Sequence, residues 1–158
     1  LLLTMFNGNA RADFNDGVVA LMAGHYEKAL ETFAPLAEMS DHAYAQYFLA
    51  RMYAAGQAVD QDLEVAAEWY RKAAEKGVGD AQFRLGQLYE TGEGVPGDIE
   101  YAFGWYSVAA HLGNAKAAEA VKTATPRLSD KELIEAKKLA RELIKNFGVV
   151  PKSTARAQ

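Results

Sequence analysis

Any chemistry in this chain has to begin from His25, His42 and His111, from Ser40, Ser107, Ser129 and Ser153, and from the carboxylate pairs Asp60/Asp62 and Asp98/Glu100. No two of the histidines fall at a spacing that holds a metal ion. None of the serines sits in a strand-to-helix elbow that would expose a nucleophile, and no glycine-rich loop follows a strand to cradle a phosphate. The chain has no cysteine, which removes disulfides, thiolate catalysis and every zinc site built on sulfur. The paired carboxylates lie where helices are expected to start, and there negative charge favours the helix dipole and caps free N–H groups. No catalytic, cofactor-binding or metal-binding residue is therefore expected, and the protein reads as something other than an enzyme. The enzyme alternative is a hydrolase whose site these patterns do not reveal.

The elements that would position such residues come from a repeat. Residues 45–80 and 81–116 align over 36 positions without a gap and share 14 identities, among them Leu49/Leu85, Tyr53/Tyr89, Gly56/Gly92, Ala66/Ala102, Trp69/Trp105, Tyr70/Tyr106, Ala73/Ala109 and Gly77/Gly113. A fixed period of this length marks stacked helix pairs. The shared residues are mostly small or aromatic: alanine and glycine let helix axes approach, while tryptophan and tyrosine fill the space between layers. Half of the 158 residues are apolar, enough to bury one substantial core. Charge is uneven. Residues 1–113 carry 7 basic and 16 acidic side chains, and residues 114–158 carry 10 and 5, so an acidic body at −9 bears a basic end at +5. An acidic body does not neutralise phosphates, which argues against nucleic acid as a partner. No apolar run reaches the roughly 18 residues that span a bilayer.

In chain order, Leu1–Phe6 is apolar and Ala10-Arg11-Ala12 has the small-x-small pattern of a signal-peptide cleavage site, so residues 1–12 are expected to be the remnant of a secretory leader, with the mature protein periplasmic or secreted. A single repeat domain then covers 13–147. Its units are 13–44, with a tight turn at Gly24-His25 and Phe33 placed 36 residues before Trp69, then 45–80 and 81–116. A partial unit covers 117–124 and ends at Thr125-Pro126. Helices are expected near 42–55, 63–76, 80–91 and 99–111, ended by glycines free to take positive φ. Ser129 with Glu132 forms a capping box ahead of an amphipathic helix carrying Leu133, Ala136, Ala140, Leu143 and Phe147 on one stripe, expected to seal the open end of the stack. Residues 148–158 are expected to form a flexible tail.

The unit A-x-x-x-L-[AG]-x-x-Y-x-x-G-x-x-V-x-x-D-x-x-x-A-x-x-W-Y-x-x-A-A-x-x-G resembles the Sel1-like repeat, a relative of the tetratricopeptide repeat, of the kind found in secreted bacterial proteins. The resemblance implies an all-α fold, an α/α superhelical solenoid of helix pairs with a C-terminal capping helix. Two departures concern the loop of the second unit, where Ala58 replaces the usual glycine and Asp60 the usual proline, so that loop is expected to be looser. The resemblance also implies a protein-interaction scaffold or adaptor of the bacterial envelope, holding an extended peptide or helix of another protein in the concave groove. A structural spacer or capping subunit of a larger complex is the alternative. The groove positions it implies are Phe14 and Val18 in the first unit, Tyr47 and Arg51 in the second, and Phe83, Gln87 and Glu90 in the third. Phe14, Tyr47 and Phe83 then either form an aromatic ladder on the groove or pack on neighbouring helices.

Overall fold

A computed structural model describes residues 10–149. Among these residues every regular element is helical: α1 (Ala10–Met22), α2 (Tyr26–Glu38), α3 (Ala43–Ala55), α4 (Leu63–Glu75), α5 (Gly79–Thr91), α6 (Ile99–His111), α7 (Ala115–Ala124), a 3-10 turn (Thr125–Arg127) and α8 (Asp130–Phe147). Of the expected leader, residues 1–9 lie outside the described residues, and α1 begins at Ala10. Of the expected tail, residues 150–158 lie outside them as well.

Several boundaries have a local cause. Asp62 accepts from the Glu64 and Val65 amides and starts α4, and Asp98 does the same for α6 through Glu100 and Tyr101, all at 3.0 Å. Gly56 and Gly92 end α3 and α5 in the left-handed conformation, at φ 65° and 73°. Ser129 and Glu132 close the capping box of α8. Pairs α1/α2, α3/α4 and α5/α6 stack in sequence, each second helix packing on the first helix of its own pair and on that of the next. The fold is an α/α solenoid.

Buried glutamines lock the stack. The Gln46 side chain donates to the Ala37 carbonyl at the end of α2, and its equivalent Gln82 donates to the Ala74 carbonyl at the end of α4, at 3.2 and 3.0 Å. Each bond ties the first helix of one pair to the last turn of the pair before it and satisfies a carbonyl that α-helix geometry leaves free. Gln82 also donates to the Phe147 carbonyl, at 3.1 Å.

Three details depart from the sequence reading. In the first unit Phe33 corresponds to Tyr70 and Tyr106, not to Trp69: the Phe33 ring covers Gly17 as the Tyr106 ring covers Gly86, so closely that a Cβ on either glycine would stand 2.8 or 2.6 Å from it. The turn Ala23–His25 is four residues shorter than Gly56–Asp62, which shifts α2 by one position against the 36-residue period. The loop holding Ala58 keeps the backbone conformation of its equivalent. Ala58 adopts φ 60°, matching Gly94 at φ 71°, and bears the strain of a Cβ in that region. Finally, α8 caps the molecule by lying along α6 rather than by closing across α7. Leu133 joins the cluster around Phe103, Leu139 and Leu143 meet Gly104, Phe147 stacks on Trp105 at 5.7 Å, and Gly148 reaches His111. Helix α6 is thus enclosed by α5, α7 and α8, and it is apolar over most of its surface for that reason.

Candidate functional site

The first helices α1, α3 and α5 form one face of the solenoid and the second helices the other. On the second-helix side α8 occupies the outer surface of α6, where Gly104 and Val108 are buried beneath it. At the equivalent positions of α4 stand Glu68 and Lys72, both exposed, with the Lys72 ammonium 4.0 Å from the centre of the half-buried Trp69 ring. The second-helix side is therefore either covered by α8 or charged.

The first-helix face differs because cavities open between successive units. One, of about 310 Å³, lies between the first and second units and is lined by Val18, Leu21, Phe48 and Arg51 among others. The next, of about 270 Å³, lies between the second and third and is lined by Ala54 of α3, Tyr70 of α4, and Arg84, Gln87, Leu88 and Thr91 of α5, with Glu93 just beyond. The two correspond in part, since Arg51 is the equivalent of Gln87, Phe48 of Arg84 and Gln57 of Glu93. At the junction of the third unit with α7 the corresponding place is filled from within the chain. There the Tyr106 hydroxyl donates to Glu90 at 2.6 Å, and Arg127 pairs with the same carboxylate. Burial, and then the Glu90 carboxylate, push the Tyr106 phenol well above its ordinary range.

The expected groove residues divide. Arg51 is exposed, its guanidinium 5.8 Å from the Tyr47 ring centre and 5.6 Å from that of Phe48. Gln87 is half-buried and accepts from Arg84 at 2.9 Å. Val18 lines the first cavity, and Glu90 is engaged with Tyr106 and Arg127. The aromatic positions pack on neighbours. Phe14 stacks on His42 at 4.7 Å and lies near Phe33 and Phe48, Tyr47 leans on Tyr70 at 6.0 Å, and Phe83 leans on Tyr106 at 5.6 Å. All three are half-buried, so each presents an edge to the face and its body to the core. Burial raises the Tyr47 phenol, with a smaller contribution from Asp80.

The residues singled out for chemistry mostly serve structure. His42 caps α3, its Nδ1 accepting from the Ala45 amide at 3.2 Å, and burial pushes its pKa down. Ser107 donates to the Phe103 carbonyl within α6, and Ser129 belongs to the capping box. Asp62 and Asp98 are caps, while Ser153 lies outside the described residues. Among the described residues no group of three or more His, Asp or Glu could hold a metal ion, and no helix is long and apolar enough to cross a membrane. The reading of the sequence placed Tyr70 between layers and left Ala54, Arg84, Thr91 and Glu93 out of the groove, since what makes this cavity distinct, alanine at 54 and arginine at 84, lies where the repeats differ.

A family model described as the Sel1 repeat matches residues 43–78 and 79–114, which are α3/α4 and α5/α6 with their connections. The chain contains two Sel1 repeats. Among solved structures it is similar to a protective antigen present in uropathogenic Escherichia coli strains, displaying an SLR fold, with a TM-score of 0.85 and 31% identity over 89% of this chain. It is also similar to a Sel1 repeat protein from Oxalobacter formigenes, with a TM-score of 0.65 and 30% identity over 82% of this chain. This chain spans 31% of the length of the first of those chains and 55% of the second. No curated protein sequence matches it. Repeats of the Sel1 type generally mediate protein–protein interaction.

Proposed function

We propose that this Sel1-like protein is an interaction scaffold whose first-helix face holds an extended segment of a partner protein, in a regulatory or assembly role in the bacterial envelope. The observation that carries the reading is the contrast between the two sides: cavities open between units on the first-helix face, whereas the second-helix side is covered by α8 or studded with charge. Extended partners suit such a face, because side chains spaced along a peptide can enter successive inter-unit cavities while its backbone runs across the helices. The half-buried aromatics are held by their neighbours in fixed orientations, so they offer contact area with little further ordering cost. The proposed envelope location rests on the Leu1–Ala12 pattern and is tested separately, by sequencing the N-terminus of the mature protein from its native host.

The experiment is capture of a partner from envelope extracts by the immobilised protein, compared with an Arg51→Glu, Arg84→Glu variant. Both side chains are exposed, so the helix content should stay at the wild-type value while capture falls by more than tenfold, as expected for the loss of interfacial arginines worth about 2 kcal/mol or more. Undiminished capture by a well-folded variant would move the binding site to the opposite side or to α8.

A further inference from the structure

The cavity between the second and third units repeats the surroundings of Glu90 with one part missing. Position 54 is the equivalent of position 90, and Tyr70 is the equivalent of Tyr106. At the later site a carboxylate, a tyrosine hydroxyl and an arginine meet: Tyr106 donates to Glu90, and Arg127 pairs with it. At the earlier site the tyrosine is present and an arginine is present, since Arg84 lines the same cavity, but position 54 is alanine. Tyr70 is 4% exposed, and its hydroxyl has no hydrogen-bond partner among the described residues, where Tyr106 has one. Burial pushes its phenol up to about 12, partly offset by Arg84, so the hydroxyl keeps its proton and remains a donor at neutral pH. The Tyr70 hydroxyl is open to the cavity and free to donate there, and the neighbouring guanidinium is a matched partner for a planar anion.

We propose that this cavity seats the carboxylate of a glutamate side chain from an extended partner peptide, which accepts from the Tyr70 hydroxyl and the Arg84 guanidinium in the way Glu90 accepts from Tyr106 and Arg127. The inference rests on the reading of the first-helix face as a peptide-binding surface and adds what the peptide must carry. Arg84 exchanges its present bond to Gln87 for the incoming carboxylate. Leu88 and Ala54 supply the apolar walls, and Thr91 offers a further hydroxyl. Glu93 also lines the cavity and opposes the incoming charge, so its removal should tighten binding.

Two arms test this. In the first, a phage-displayed library of random twelve-residue peptides is selected on the immobilised full chain, and selected peptides are resynthesised with a fluorophore and titrated by anisotropy. The expected peptides share an acidic residue at a fixed position; changing it to the amide weakens binding about tenfold or more, the Glu93→Gln protein binds tighter, and the Ala54→Glu protein does not bind, because its own carboxylate fills the cavity. Peptides selected without an acidic residue, binding Ala54→Glu as well as wild type, would overturn the glutamate assignment and leave the scaffold reading standing. A library that yields no binder overturns the peptide-binding reading and this inference with it. The second arm needs no peptide. Ala54→Glu should raise the melting temperature, and that gain should vanish in a Tyr70→Phe, Arg84→Ala background. A gain of the same size in both backgrounds, or a loss in both, shows that no carboxylate seats there.

Discussion

The two repeat tryptophans occupy equivalent positions and should respond differently to truncation. Trp105 is 4% exposed, lies in the central cluster with Val108 and Leu85, and is covered by Phe147, whose ring is 5.7 Å away at an interplanar angle of 22°. Trp69 is half-buried and meets solvent on the side where Lys72 leans over it. Replacing a fully buried tryptophan by alanine costs about 3–5 kcal/mol, and that range applies to Trp105→Ala. A ring with much of its surface in water gives up proportionally less, so Trp69→Ala should cost about 1–2 kcal/mol. At about 2–4 °C per kcal/mol for a chain of this size, the melting temperatures should fall by about 10 °C and about 4 °C respectively. Urea titrations followed by far-ultraviolet circular dichroism, with the slope checked for constancy, provide the free energies. The difference is assigned to Phe147, so the Phe147→Ala, Trp105→Ala double variant should lose less than the sum of the singles by about 0.5–1.5 kcal/mol, whereas Phe147→Ala should add to Trp69→Ala. Equal losses for the two tryptophans, or additivity at Phe147 and Trp105, would refute the placement of α8 on α6.

Removing residues 129–158 should uncover Phe103, Gly104, Trp105 and Val108 together and make the remainder associate, measured by light scattering against the full chain. Ala58→Gly should stabilise by about 1 kcal/mol by relieving positive φ, whereas Gly94→Ala at the equivalent position should destabilise strongly, because a Cβ there collides with the Leu63 carbonyl; thermal melts of the pair decide it. Because burial lowers the folded-state pKa of His42, the unfolded chain binds the extra proton first. Stability should be full above pH 6.5 and decline as the pH falls below it, and an asparagine cap in His42→Asn should flatten that part of a denaturation series.

Much of the architecture was legible because the period is strict and the caps are local: Asp62, Asp98, Ser129 and the glycines after α3 and α5 act within a turn of where they stand in sequence. Other features depended on contacts between distant segments. The first unit slipped by one residue because a short turn at Ala23–His25 leaves no signature of its own, and only the packing of Phe33 on Gly17 reveals the register. The seat of α8 did have a signal, since Gly104 and Val108 replace the Glu68 and Lys72 of the preceding unit, but it lies in a difference between repeats. The same holds for the cavity at Tyr70. Its chemistry comes from alanine at position 54 where the next unit has Glu90, a change that carries no meaning until the fold brings it beside Tyr70 and Arg84.

The claim that the first-helix face is the binding surface is tested most directly by photo-cross-linking in the native host. A benzophenone side chain is placed singly at Arg51 and Gln87 on that face, and at Glu68 and Lys137 on the side of α4 and α8. The account predicts cross-linked partner at the first two positions and none at the last two, and adducts confined to Glu68 and Lys137 would contradict it.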